Sequence, residues 1–548
     1  MHELSENLRL LRTLLLAAAP ALYLLAACTT NRQPSLAARA WRRARYLGAV
    51  AIGVACASLA VEVIDGPIVI SGPVLVALGA ELSLRLSLRS DAVGALVQLL
   101  VSFIGWVILG YSQTCLMGEQ NQPRYLRALL LTLAAVSLVL ISDNLVVLAL
   151  AWLGTSLALH RLLTFYRNRR PAVIAAHKKF IASRLGDVCL GVAILLIAAA
   201  LNTFEISTVT QRVQGLSALS PGLQFAAVLL VCTALLKCAQ LPTHGWLIQV
   251  MEAPTPVSAL LHAGVVNLGG FLMFRLAGLV AHVPAAQTLL VIAGSATAVI
   301  AGLVMMTRIS IKVMLAWSTC AQMGFMLMEC GLGLYDMALL HLIAHSLYKA
   351  HAFLSAGGAV EQARLAQLTP VRARVAFGDS AMAAMAGIAL FGIIALMLHS
   401  DFDHSRALWV TAATVGLALP SLFLSPALTI TYRWRIAAVL AAFGTVVVFF
   451  GLHALFGVWI QAPTFGAEVT PFRILWIQAS FVLLFLLQSA IRANPDGGIG
   501  QRLYPWFYAG LYLDEVFTRI TFRVWPVRPL DASRDAPIAR MGDRLRRP

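Results

Sequence analysis

Charge is scarce in this sequence: only 12% of its 548 residues are Asp, Glu, Lys or Arg, against about a quarter in an ordinary soluble chain. Sixty per cent are hydrophobic and the mean hydropathy is +0.82, so the solvent implied is lipid. Length alone suggests roughly three or four soluble domains, but the apolar runs recur too regularly for that division. Cysteine pairs are missing as well. Cys28, Cys56, Cys115, Cys189, Cys232, Cys238, Cys320 and Cys330 lie scattered in or beside apolar runs without a C-x-x-C, which points to small buried residues rather than disulfides or a metal centre. There is no G-x-x-x-x-G-K-S/T phosphate loop, no Rossmann glycine fingerprint after a strand, and no haem or iron–sulfur spacing. Nucleotide hydrolysis and redox chemistry are therefore not expected in this chain, nor is a cofactor. Active transport here would draw on an ion gradient or on a partner.

What is present is a series of runs long enough to span roughly 30 Å of hydrocarbon. The first, from Thr13 to Thr30, has the length of a signal peptide, but its flank of Arg9 and Arg12 is weakly basic and a strongly basic segment follows, so a retained helix is expected. Others lie near 46–64, 92–111, 126–141, 144–163, 180–201, 223–241, 253–280, 286–306, 311–332, 336–358, 379–399, 406–426, 436–457 and 470–490, making about fifteen in an all-α polytopic membrane protein. The net charge of +17 is concentrated in short gaps. With the N-terminus outside, Arg32, Arg39, Arg42, Arg43 and Arg45, then Arg167, Arg169, Arg170, Lys178 and Lys179, then Arg364, Arg372 and Arg374, then Arg433 and Arg435 all fall inside. On a soluble chain such an excess would raise the question of nucleic acid; here it sets topology. The alternate gaps are poor in basic residues, and Leu82 to Arg89 alternates like a short outer hairpin. The resulting organisation is N-terminal helices and hairpin over 1–90, a core over 91–400, further membrane helices over 401–490, and a cytoplasmic linker with an amphipathic helix over 491–548. That last helix, 500–523, places Trp506, Phe507, Leu511, Phe517 and Phe522 on its apolar side.

An ionisable residue within a span costs several kcal/mol, so each is a functional candidate. Lys237, in Ala234-Leu-Leu-Lys-Cys-Ala-Gln-Leu-Pro242, precedes a proline that breaks the helix. A lysine desolvated there exchanges a proton; the alternative is a snorkelling side chain that reaches the interface. Glu252-Ala-Pro254-Thr-Pro256 opens a helix carrying His262, which suits either proton transfer or hydrogen-bonded packing. His341, His345 and Lys349 lie four apart on one helix face with His351 close behind, and at 1.5 Å per residue the row covers about 12 Å of depth. Zinc is disfavoured, because Leu342 stands where a zincin has Glu and no third ligand is evident. Lys312 opens a later span as either relay or topology anchor, and Arg184 and Asp187 lie three apart as a candidate pair. Glu329 and Asp143 sit near span ends, where carboxylates are usually solvated.

From Lys237 to Arg275 the sequence resembles the antiporter-like proton-translocating subunits of respiratory complex I, membrane hydrogenases and multisubunit cation/proton antiporters. The residues that carry this are Leu-Lys237-Cys-Ala-Gln-Leu-Pro242, Ala253-Pro-Thr-Pro-Val-Ser-Ala-Leu-Leu-His262, Lys312-Val-Met-Leu-Ala-Trp-Ser-Thr, and His341-Leu-Ile-Ala-His345 with Lys349, over roughly residues 90 to 400. The resemblance implies inverted five-helix repeats, each with a broken helix, and a proton path through Lys237, His262, Lys312, His341, His345 and Lys349. Two departures stand out. Complex I subunits carry Trp-Glu in the fifth span where this chain has Trp152-Leu153, and a proline and lysine in a later span where residues 379–399 have neither. His399 and Asp401 are the nearest polar groups there, and the chain ends soon after residue 523, which leaves no room for a long lateral helix. The wording His244-Gly-Trp-Leu-Ile-Gln-Val-Met-Glu252-Ala-Pro-Thr-Pro and His345-Ser-Leu-Tyr-Lys-Ala-His351-Ala-Phe-Leu-Ser is similar to the DabB family, the membrane subunits of two-subunit inorganic carbon accumulation complexes. That resemblance implies a bacterial inner-membrane subunit whose H+ or Na+ flow energises a large cytoplasmic zinc-containing DabA-type partner, with the zinc chemistry in the partner. Competing expectations are an antiporter, hydrogenase or complex I-like module, and a non-conducting scaffold.

Overall fold

The computed structural model describes residues 2–526 apart from 31–32, 34–36, 78–82, 167, 359–375, 398–405, 418–431, 461–468 and 495. His399, Asp401, Arg364, Arg372 and Arg374 lie outside the described residues. Helices α1 (His2–Cys28) and α2 (Ala37–Asp65) lead into a small β-structure, followed by α3 (Ala92–Cys115), α4 (Gln122–Ile141), α5 (Leu145–Leu163) and α6 (Arg170–Leu201). After the short α7 (Ile206–Gln214) come α8 (Pro221–Lys237), α9 (Gly245–Gln249), α10 (Thr255–Ala263), α11 (Leu268–Arg275) and α12 (Ala277–Val280). The long helices α13 (Pro284–Met305), α14 (Ile311–Gly331) and α15 (Tyr335–Leu354) follow, then α16 (Phe377–Met397), α17 (Arg406–Gly416), α18 (Tyr432–Ile460) and α19 (Pro471–Ala493). Two short helices end the described chain, α20 (Gly498–Tyr508) and α21 (Leu513–Val524).

Twelve of the spans among the described residues are long and apolar enough to cross a membrane, counting α10 with α11 as one. The fifteen expected include three that fall short for identifiable reasons. Helix α8 has 17 residues, α15 is made less apolar by His341, His345, Lys349 and His351, and α17 is described over 11 residues only. Local chemistry fixes the helix starts. Pro stands in the first turn of α4, α6, α8, α13 and α19, Asn144 caps α5 by accepting from the Val146 amide (2.9 Å), and Asp91 caps α3 by accepting from that of Gly94 (2.8 Å). Helices α13 and α14 cross at two glycines: a Cβ on Gly294 or Gly324 would lie 2.5 Å from the other's carbonyl oxygen. Small residues give membrane helices this closeness.

Contacts between helix ends define two faces. On one, Arg43 reaches Thr29, Lys312 reaches Thr255, and Arg308 reaches Phe507; this basic face also carries Arg42, Arg45, Arg169 and Arg170. On the other, Leu88 bridges Ser142, Asn144 bridges Glu205, and Arg473 reaches Pro284. The hairpin on this second face is larger than the alternation over Leu82–Arg89 suggests. Strand β1 (Ile68–Ile70) pairs antiparallel with β4 (Leu88–Ser90), and β2 (Val74–Ala77) with β3 (Ser83–Arg85), a register shift between Val74 and Val76 separating the pairings in the second.

Other expectations need correction. Only Cys238, Cys320 and Cys330 are buried; Cys28 and Cys115, the last residues of α1 and α3, and Cys56 within α2 lie exposed. The terminal amphipathic helix is two helices, because Leu511 (φ 56°) and Tyr512 (φ 57°) take the left-handed conformation between α20 and α21. Asp143 is buried and accepts from the Ser207 hydroxyl at 2.5 Å. Lys178 and Lys179 lie within α6, not in a solvated gap, because each has a partner there.

Candidate functional site

Five of the six proposed path residues, all but Lys312, fall into two clusters. The first forms where α8 ends. Cys238 caps it, Ala239 turns left-handed at φ 53°, and Leu241-Pro242 is a cis peptide, so the chain leaves the helix directly after Lys237. The Lys237 ammonium pairs with the Asp187 carboxylate of α6, whose second oxygen meets Arg184 at 2.6 Å. It also lies 4.1 Å from the centroid of the Trp152 ring, a cation–π position. Gly186 makes this approach possible: a Cβ there would sit 3.2 Å from both Cγ and Cε of Lys237. About two turns toward the basic face, Lys179 donates to the Ser156 carbonyl (3.1 Å) and hydroxyl (2.7 Å). The acid missing at Leu153 is thus supplied from α6 by Asp187. Sequence reasoning ranked Asp187 second and counted Lys179 only as a topology residue; the signal for both is a charge on a helix that is otherwise apolar.

The second cluster is built on α15. Lys349 is fully buried and donates to the Leu315 carbonyl at 3.2 Å. His345 is buried, and its ring centre lies 6.2 Å from that of His341. His341 is held through both ring nitrogens, Nε2 at 2.8 Å from Gln322 Oε1 and Nδ1 at 3.0 Å from Glu329 Oε2. Glu329 is buried, so the expectation of a solvated carboxylate fails because His341 supplies its partner. His262 joins from α10, stacked on Phe353 with ring centres 4.4 Å apart, and Asn267 just beyond it donates to Ser346 at 2.7 Å. The interrupted helix α10–α11 is therefore fastened to α15 beside the histidine row.

The remaining candidates have other partners. Lys312 donates to Thr255 at 2.8 Å at the start of α10, the position of an anchor on the basic face. His244 stacks near Trp317 (4.8 Å) and is pushed down to about 4 by burial, with nearby Asp514 opposing, so it stays a neutral imidazole at neutral pH. Glu252 pairs loosely with Arg169 at 4.0 Å on the surface, and His351 is exposed. The C-terminal helix reaches this neighbourhood. Asp514 of α21 accepts from Lys178 at 2.9 Å and from Gln249 at 2.8 Å, and Trp525 stacks on His177 at 4.0 Å. Among the described residues no three His, Cys, Asp or Glu side chains converge as metal ligands.

Between the clusters no hydrogen bond or ion pair passes directly among the described residues. Buried polar atoms without protein partners are found just after α8 at Gln240 Oε1, on α10 at Ser258 Oγ and both ring nitrogens of His262, and on α15 at His345 Nε2. Each such atom costs about 1–3 kcal/mol if left dry, so this is where hydrating water is most strongly favoured.

A many-helix bundle with paired and unpaired ionisable groups in its interior is the architecture of a membrane transport subunit. The family described as NADH:quinone oxidoreductase/Mrp antiporter, TM, matches residues 142–402. A probable inorganic carbon transporter subunit DabB of Hydrogenovibrio crunogenus is 42% identical over 438 residues, covering 78% of this chain and 82% of that protein. A probable subunit DabB2 of Halothiobacillus neapolitanus is 38% identical over 525 residues, 94% of each chain. In the Mrp complex from Dietzia sp. DQ12-45-1b, one chain superposes with a TM-score of 0.63 at 25% identity, covering 97% of this chain and 61% of that one. The chain belongs to the DabB family, a branch of the antiporter-like membrane subunits.

Proposed function

We propose that this chain conducts protons from the hairpin face to the basic face and so energises inorganic carbon accumulation by a cytoplasmic partner. On the positive-inside rule the basic face is cytoplasmic, in a bacterial inner membrane. The observation that carries the reading is the pairing of buried Lys237 with half-buried Asp187 at the broken end of α8, together with the histidine–lysine row on α15 and the buried polar atoms of Gln240, Ser258 and His262 that have no protein partner. A static structural pair would be cheaper as packed hydrophobic side chains. The relatives' names supply the cargo, and the partner inferred is a large zinc-containing DabA-type protein that carries out the hydration chemistry; this chain is not itself the enzyme. Coupling requires that the partner interact differently with two states of the bundle. Helix α21, fastened through Asp514 to Lys178 and Gln249, lies on the cytoplasmic face beside the first cluster and suits that contact.

Both subunits expressed in a host deficient in carbonic anhydrase are expected to restore growth at ambient CO2, and a protonophore at sub-lethal concentration is expected to abolish uptake of labelled inorganic carbon. Uptake that persists after the gradient collapses would assign the chain to a scaffold. The Mrp likeness supports cation/proton exchange as a second reading, which predicts Na+-dependent proton movement without the partner.

A further inference from the structure

Residues 379–399 contain neither the proline nor the lysine that complex I subunits carry there, yet the row on α15 does not end blindly toward the hairpin face. Glu329 sits two residues before the end of α14 on that face, and its carboxylate meets His341, six residues into α15. Asp336, in the first turn of α15, lies close enough to Glu329 to interact electrostatically and pairs with His453 of α18 at 2.5 Å. Beside these groups is a cavity of about 470 Å³ walled by α14, α15, α17, α18 and α19. Its lining is mostly apolar, but Gln322, Glu329, His341 and Gln488 place polar side chains on it.

We propose that Glu329, with the Asp336–His453 pair above it, forms the outer entrance of the ion path and that the adjoining cavity is its hydrated vestibule. Asp336 lies in the first turn of α15 on the hairpin face, and His453 lies about two turns before the end of α18 on that face. A proton bound there passes to the Glu329 carboxylate, from it to His341 Nδ1, and leaves from Nε2 toward His345 and Lys349. Each transfer breaks one O–H or N–H bond as the next forms: Glu329 returns to the carboxylate on giving up its proton, and His341, which gains hydrogen at Nδ1 and loses it from Nε2, rotates its ring to restore the starting tautomer before the next proton. A carboxylate in hydrogen-bonding contact with an imidazole is well placed for such a transfer, and the 12 Å row beyond accounts for the depth from His341 to Lys349.

This inference rests on the proposed proton conduction, and its test separates the two. The two-subunit complex is reconstituted in proteoliposomes with an internal pH dye, and proton uptake is driven by a potassium diffusion potential. Glu329→Gln keeps the side chain's size and a hydrogen bond to His341 but cannot exchange a proton; uptake is expected to fall by about 100-fold, with partial recovery in Glu329→Asp. A second variant, Leu340→Cys on the cavity wall, leaves Glu329 in place. An impermeant thiol reagent applied from the hairpin face is expected to modify it and block uptake, with the wild-type chain as control for the native cysteines. Wild-type uptake in Glu329→Gln, or Leu340→Cys unreactive from that face, overturns the entrance while Lys237→Ala remains inactive. Wild-type uptake in Lys237→Ala instead overturns the conduction on which the entrance rests.

Discussion

Lys237→Ala is expected to abolish growth rescue at ambient CO2 while the two-subunit complex still assembles. In the wild-type chain one ammonium pairs with Asp187, lies over Trp152 and crosses Gly186. Removing it leaves Asp187 with Arg184, which meets the carboxylate at 2.6 Å and keeps it neutralised, so the bundle retains a paired charge and folding survives. What disappears is the exchangeable proton. The discriminating companion is Lys237→Arg, which keeps a positive charge but holds its proton throughout the working pH range. If Lys237 serves only as a snorkelling cation or as Asp187's counter-ion, the arginine variant works; if it exchanges a proton, both variants fail, with carbon uptake reduced by about 100-fold or more. Uptake of labelled bicarbonate by whole cells, normalised to the amount of assembled complex, checks this.

The second large effect is expected at His341. Its ring bridges Gln322 on one side and Glu329 on the other, with His345 next in the row. His341→Ala leaves the buried carboxylate and amide without that partner and interrupts the row at its outer end. Loss of function from this change alone would be ambiguous, because an unpaired buried carboxylate also destabilises the protein. His341→Gln removes the ambiguity: an amide can still hydrogen-bond to Glu329 but cannot accept and release a proton near neutral pH. Both variants are expected to lower carbon uptake by about 100-fold, and the glutamine variant is expected to purify with the thermal stability of the wild-type complex. A functional glutamine variant would reduce His341 to a packing residue.

The sequence disclosed the membrane class, most helices and the histidine row because these depend on local quantities: apolar run length, proline placement and a spacing of four. It misplaced features set by tertiary contact. Lys178 and Lys179 look like part of a basic gap until Asp514 and Ser156 are seen to receive them, and Glu329 looks solvated until His341 turns toward it. Asp187 is the clearest case. The sequence shows an acid absent after Trp152, and only the packing of α6 against α8 reveals that a carboxylate reaches Lys237 from a different helix. Lys312 is read from its motif as either relay or anchor, and only the packing shows that it bonds to Thr255 at the start of α10, about one turn from Leu315, whose carbonyl receives Lys349.

The central claim is that submerged titratable side chains in this bundle move protons for the benefit of a cytoplasmic partner. Its most direct test is proton uptake by sealed proteoliposomes containing the two-subunit complex, with an imposed membrane potential and inorganic carbon supplied. Uptake in the wild type that collapses in Asp187→Asn, where Lys237 loses its carboxylate, is the predicted result. Equal leakage from wild type, Asp187→Asn and protein-free vesicles would contradict it.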